Sequence, residues 1–109
     1  MSALIDALRQ RLPAHRVISD ELRRLAYGTD GSFYRLIPEV VAVVEDEDEV
    51  RDVVELARTH SRPVTFRAAG TSLCGQAVTD GVLVLLGEGL ATCDIGAGGT
   101  TVQVGPAIV

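Results

Sequence analysis

Five consecutive apolar residues, Val40–Val44, restrict the fold more than any other part of the sequence. The run is mostly β-branched and contains no polar residue, which is typical of a strand covered on both faces. Asp46 and Glu49 follow at capping-box spacing, and acidic residues in a first turn favour the start of a helix. A helix that ends near His60 and a strand at Val64–Phe66 complete a strand–helix–strand unit. Such a unit predicts a parallel sheet with a right-handed crossover.

The acidic run 45–49 and the helix after it have a structural interpretation. A cation site needs ligands spaced through a loop with a sharp glycine turn, so we assign the acids to helix capping and expect no metal. The residues predicted to form the buried stripe of the helix recur at i, i+3, i+4 and i+7. They are Val50, Val53, Val54 and Ala57.

Two short helices are predicted before the first strand. The first covers Ser2–Leu12, with its serine as N-cap, and Pro13 ends it. The second covers Ser19–Leu25, again with the serine as N-cap and with Leu22 and Leu25 facing inward. We therefore divide the chain into an N-terminal helical segment, 1–35, and a second part, 36–109.

The remaining pattern gives a turn and three further strands. Gly28–Ser32 predicts a surface turn capped by its aspartate and serine. Further strands are predicted at Val82–Leu86, Ala91–Ile95 and Thr101–Val104, the last two joined by a glycine turn. The predicted fold class is α+β: N-terminal helices, then a β-α-β unit and further strands.

Composition excludes several kinds of protein. A chain of 109 residues, 47% of them hydrophobic, can bury one modest core. The net charge of -5 and the aromatic content of 4% argue against nucleic acid as a partner. The longest apolar runs are too short to cross a bilayer, so no transmembrane segment is expected. We expect a cytoplasmic protein and leave open membrane association as part of a respiratory enzyme.

The segment FRAAGTSLCGQAVTDG, Phe66–Gly81, leaves the predicted second strand at the edge where α/β sheets usually bind ligands. Because the chain is negatively charged, a bound anion needs local donors. Gly70 and Gly75 can present successive N–H groups to a ligand. Two hydroxyls, an amide and the charge of Arg67 add further donors, a set that suits a diphosphate.

A structural interpretation of the same residues stays open. The glycines can serve turns, the hydroxyls can cap backbone groups, and Arg67 can pair with a carboxylate of the acidic helix start at 45–49. The loop also lacks the Gly-Lys-Ser/Thr ending of nucleotide triphosphatases and the glycine triplet of the dinucleotide fold.

The run from Tyr27 to Val84, and above all the string Arg-x-x-Gly-Thr-Ser-x-x-Gly-Gln within it, resembles FAD-linked oxidases with a vanillyl-alcohol-oxidase (PCMH) type flavin domain. Within that superfamily it is most similar to D-lactate and related 2-hydroxy-acid dehydrogenases. The resemblance implies that residues 36–109 are the first part of such a domain, truncated, and that FAD is the cofactor.

The resemblance also implies the residues that line the FAD pyrophosphate, chiefly through main-chain N–H groups. They are Arg67, Ala68, Ala69, Gly70, Thr71, Ser72, Gly75 and Gln76. Relatives with covalently attached flavin carry histidine at the position of Thr71, so noncovalent FAD is expected here. Both histidines, His15 and His60, have structural explanations, and no catalytic residue is assigned.

The implied function is that of a flavin-dependent oxidoreductase acting on a 2-hydroxy acid such as D-lactate or glycolate. The chain would supply the pyrophosphate loop, while the flavin performs the redox chemistry. It would be inactive alone, because the catalytic groups would reside in the missing part of the enzyme. The alternative is a non-catalytic domain: a module for a phosphate ligand, or an inert fold remnant that self-associates through an unfinished sheet edge.

Overall fold

A computed structural model describes residues 2–108. The helices are α1 (Ala3–Arg11), α2 (Glu21–Ala26) and α3 (Glu47–Thr59). The strands are β1 (Val17–Ile18), β2 (Val40–Val44), β3 (Val64–Arg67), β4 (Val82–Leu86), β5 (Cys93–Ile95) and β6 (Val102–Val104). Short 3-10 helices occupy Ala14–Arg16 and Glu88–Leu90. The predicted α+β class is confirmed.

Four strands form one sheet in the order β1-β2-β4-β3, and β5 and β6 form a separate antiparallel hairpin. Strands β2, β4 and β3 are parallel, whereas β1 runs antiparallel to β2. Val82 pairs with Val40 on one side and with Val64 on the other. Strand β4 therefore lies between the two strands of the β-α-β unit, which explains why its run is so apolar.

The core lies on both faces of this sheet. Helices α1 and α3 pack against one face, where the fully buried side chains include Leu4, Leu8, Val40, Val53 and Val84. The smaller cluster on the other face contains Ile18, Val41 and Leu83, with Tyr27 packed against it. The two sets alternate along β2 and β4 because successive side chains of a strand point to opposite faces.

The predicted start of α2 and its inward face are wrong. Asp20, not Ser19, is the N-cap, and its carboxylate accepts the Arg23 N–H at 3.1 Å. Leu22 and Leu25 are 75% and 37% exposed. The inner side of the helix instead carries Arg24, whose Nη1 donates to the Pro38 carbonyl oxygen, and ends at the packed Tyr27. A six-residue helix has too few turns for periodicity to identify its buried side.

The predicted stripe of α3 is correct except at Val54, which is 39% exposed. Val53 and Ala57 are buried, and Val50 and Leu56 pack against the core at the edges of the stripe. The buried face is thus rotated toward Leu56, because α3 contacts α1 as well as the sheet. No helix among residues 2–108 has the length and apolar character needed to cross a membrane.

The start of α3 is held by its predicted capping residues and by one arginine. The Asp46 carboxylate accepts the Glu49 N–H at 2.8 Å, and Glu49 accepts the Glu45 N–H at 2.8 Å. Both Glu49 oxygens also accept from Arg16 at 2.6 Å. This hydrogen bond from Arg16, with the Glu45 N–H and the arginine charge, lowers the pKa of Glu49.

Replacement of Glu49 by glutamine is expected to lower the free energy of unfolding at pH 7 by roughly 1–3 kcal/mol, because it removes a charge-assisted pair. A lowered folded-state pKa stabilises the fold above the ordinary value of 4.5, and this contribution is lost as pH falls through the folded-state pKa. The free energy of unfolding should therefore decrease less between pH 7 and a pH below 4.5 in Glu49→Gln than in the unmodified chain. Urea titrations at the two pH values measure this decrease.

The matched control is Asp48→Asn on the same turn. Asp48 is 89% exposed and lies 3.8 Å from Arg51, so its removal should change stability little. Equal effects of the two substitutions at both pH values would contradict the role given to Glu49.

Candidate functional site

The predicted binding segment follows β3 at the carboxyl edge of the sheet. We name residues 68–76 the glycine loop. Gly70 and Gly75 have φ values of +72° and +76°. Both therefore occupy the left-handed region that disfavours side chains, as their predicted role in shaping the loop requires.

The glycine loop keeps several main-chain donors free. Within residues 2–108, the N–H groups of Gly70, Thr71, Ser72 and Gly75 donate to no acceptor. Thr71 is exposed, while the two glycines are half-buried. Unpartnered N–H groups in a bent loop form a concave donor surface of the kind that binds anions.

Two predicted donors contact each other instead of facing outward. The Ser72 hydroxyl accepts the N–H groups of Cys74 and Gln76 at 3.2 and 3.3 Å, and it lies 3.5 Å from the Gln76 side-chain oxygen. The Ser72 hydroxyl therefore caps backbone groups within the loop, as the structural interpretation of this residue expected.

Arg67 lies beside the glycine loop on the face of the sheet opposite α3. Its Nη1 donates to the Tyr27 carbonyl oxygen at 3.2 Å, and its guanidinium lies 5.6 Å from the centre of the Tyr27 ring. A Cβ added to Gly70 would collide with this guanidinium. The alternative pairing of Arg67 with the acidic helix start is wrong, because alternation along β3 directs Arg67 away from α3.

The predicted turn near Asp30 also contributes to the site. Asp30 caps it as expected, since Oδ1 accepts both the Ser32 N–H and the Ser32 hydroxyl. Its second oxygen, Oδ2, accepts the Ala77 N–H at 3.3 Å, directly after the glycine loop. This contact was missed because no local pattern links residues 47 positions apart.

The electrostatics of the loop favour an anion. The Ser32 hydroxyl bond is the largest cause of the lowered pKa of Asp30, followed by main-chain N–H groups and the Arg67 charge. Asp30 is thus ionised at neutral pH with both oxygens engaged by donors. Residues 67–76 contain no acid, and Arg67 supplies a permanent positive charge next to the free N–H groups.

A hollow of about 350 Å³ reaches the end of the glycine loop. It is lined by Tyr34, Arg35, Leu36, Cys74, Gly75 and Val78. The donor-rich loop at the carboxyl edge of the parallel sheet and this hollow beside it together form the candidate site.

Residues 38–109 match the FAD binding domain family, and the chain belongs to that family. The predicted resemblance and the predicted cofactor are confirmed at this level. The family match begins at Pro38 and so includes β2, α3, β3 and the whole glycine loop.

Known relatives are consistent with this membership. The chain is 27% identical over 110 residues to the glycolate oxidase subunit GlcD of Escherichia coli K12, covering 98% of this chain and 22% of the relative. It is 31% identical over 83 residues to D-2-hydroxyglutarate dehydrogenase of Pseudomonas putida, covering 73% and 8%. The structure of a chitooligosaccharide oxidase superposes with a TM-score of 0.74 at 21% identity, covering 98% and 23%. The chain therefore spans less than a quarter of each of these proteins.

Proposed function

We propose that the glycine loop holds the diphosphate of FAD noncovalently. The single observation that carries this proposal is the row of unpartnered N–H groups at Gly70, Thr71, Ser72 and Gly75 beside an arginine. A diphosphate needs several donors that converge from a loop free of acids, and these residues fit it. Membership in the FAD binding domain family supports the choice of FAD among phosphate ligands.

The proposed binding residues divide into two groups by their contacts. Main-chain N–H groups of the loop donate to the phosphates, and the small side chains of Ala68 and Ala69 leave the surface open. Arg67 supplies charge from beside the loop, while Ser72 and Gln76 maintain its shape. Threonine at position 71 offers a hydroxyl donor, and the absence of histidine there supports noncovalent binding.

The whole protein is proposed to be an oxidoreductase that acts on a 2-hydroxy acid such as D-lactate or glycolate. The names of the two relatives, a glycolate oxidase subunit and a D-2-hydroxyglutarate dehydrogenase, support this substrate class. FAD, when bound, accepts the two electrons removed from the substrate. We assign residues 36–109 to the first lobe of the flavin domain and 1–35 to a preceding helical segment, with no catalytic residue in either. The chain alone is proposed to be inactive and cytoplasmic.

Gel filtration of the full chain after incubation with FAD tests the binding function. Flavin absorbance that co-elutes with the protein supports it, and a colourless protein peak under saturating FAD contradicts it. The alternative, self-association, has its own support: β3 is an edge strand, and Ile95, Val102 and Val104 are exposed on the hairpin. A colourless peak at twice the monomer mass would favour that alternative.

Replacement of Thr71 by alanine is expected to weaken FAD binding by about 1.5–3 kcal/mol, the contribution of one hydrogen bond to a charged group. Equilibrium titration of flavin fluorescence measures the change. Thr100→Ala, an exposed threonine in the hairpin turn, is the control and should bind FAD like the unmodified chain. Unchanged affinity in Thr71→Ala would exclude its hydroxyl from the site.

A further inference from the structure

The glycine loop is held in place by a turn that precedes it by about 40 residues. We name residues 29–34 the Asp30 turn. The Asp30 Oδ2 atom accepts the Ala77 N–H at 3.3 Å, where the chain leaves the loop. Ala77 is buried and Asp30 is half-buried, so this hydrogen bond is partly shielded from water.

Two packing contacts join the Asp30 turn to the loop at other points. A Cβ added to Gly31 would lie 2.9 Å from the carbonyl oxygens of both Thr71 and Ser72. A Cβ added to Gly75 would lie 2.8 Å from Cδ2 of Tyr34. The turn thus contacts the middle of the loop, its second glycine and its exit.

The Asp30 turn is itself well fixed. Ser32 donates its N–H to Asp30 at 2.8 Å and accepts the Tyr34 N–H at 3.1 Å. A β-bridge between Thr29 and Arg35 closes the turn. These internal bonds allow the turn to act as a rigid support for a loop that has few bonds of its own.

We infer that Asp30 is a positioning residue that holds the glycine loop in the conformation that binds FAD; this inference rests on the proposed function. The free N–H groups of the loop can converge on a ligand only if its backbone is fixed from outside. A loop ordered before binding loses less conformational entropy when the ligand arrives, which increases affinity.

Direct contact between Asp30 and the ligand does not explain its presence. A carboxylate facing a diphosphate would repel it, and both Asp30 oxygens already accept from the protein. Its charge is balanced within the protein by nearby donors and by Arg67. Asp30 therefore acts through the loop backbone.

The test compares Asp30→Asn with the unmodified full chain. Asparagine keeps one acceptor, enough to cap the Asp30 turn, but cannot accept from both Ser32 and Ala77. We expect hydrogen exchange of the Ala77 amide without FAD to increase at least about tenfold, and FAD affinity to fall about tenfold, as for the loss of one hydrogen bond to a charged group.

The matched control is Asp20→Asn. Asp20 also accepts a main-chain N–H and a side-chain N–H, both from Arg23 three positions away, but it is the N-cap of α2. Asp20→Asn should change neither the exchange of the Ala77 amide nor the affinity for FAD. Tyr34→Ala removes a second contact with the loop, the one between Tyr34 and Gly75. Tyr34 is 62% exposed, so this variant leaves the core undisturbed, and it should also weaken FAD binding.

The outcomes separate this inference from the proposed function. Faster Ala77 exchange with unchanged FAD affinity would overturn the positioning role, as would equal effects of Asp30→Asn and Asp20→Asn. Gly70→Val serves as the reference for the loop itself. If Gly70→Val binds FAD like the unmodified chain, the proposed function fails, whatever the hydrogen-exchange data show.

Discussion

Replacement of Gly70 by valine is expected to lower the affinity for FAD by roughly 10- to 100-fold. Gly70 has a φ of +72°, where a β-branched residue costs about 1–3 kcal/mol. The new Cβ would also collide with the Arg67 guanidinium, so either the loop backbone or Arg67 must move. Both movements misalign the donors, and the loss of about one hydrogen bond to a charged group, about 1.5–3 kcal/mol, corresponds to the predicted loss of affinity. Fluorescence titration with FAD measures it.

The hairpin provides a closely matched control for this substitution. Gly99 has a φ of +71°, but an added Cβ there meets no atom of the described residues within 4 Å. Gly99→Val therefore introduces the same backbone strain in the turn between β5 and β6, outside the glycine loop, and it should retain FAD. Similar FAD affinities for Gly70→Val and Gly99→Val would contradict the assignment of the loop to FAD binding.

Replacement of Leu83 by alanine is expected to lower the free energy of unfolding by about 2–5 kcal/mol. Leu83 is fully buried in β4, the strand paired on both sides, and packs with Ile18 and Val41. Its truncation leaves a cavity in the smaller of the two core clusters, where few neighbours can move to fill the space. Urea denaturation followed by circular dichroism measures the loss.

Leu73→Ala removes the same atoms from a side chain that is 78% exposed. It should change the free energy of unfolding by less than about 0.5 kcal/mol. If the two leucine variants were equally stable, the burial assigned to β4 would be wrong.

The candidate site shows where sequence-based prediction succeeds and where it stops. The left-handed conformations of Gly70 and Gly75 follow from residue type and from their place after a strand. The partner of Arg67 does not, because a charged side chain that emerges from a strand can meet any carbonyl or carboxylate brought near by packing. Here that group is the Tyr27 carbonyl rather than an acid of α3.

The sequence by itself determined the parts of this protein that depend on local periodicity and capping: β2, β4, the start of α3 at Asp46 and the glycine loop. The tertiary structure alone decided that β4 lies between β2 and β3, that Leu22 faces water and that Asp30 reaches Ala77. Local features are encoded by neighbours along the chain. These three depend instead on which surfaces become adjacent when the whole core packs, and no short segment carries that information.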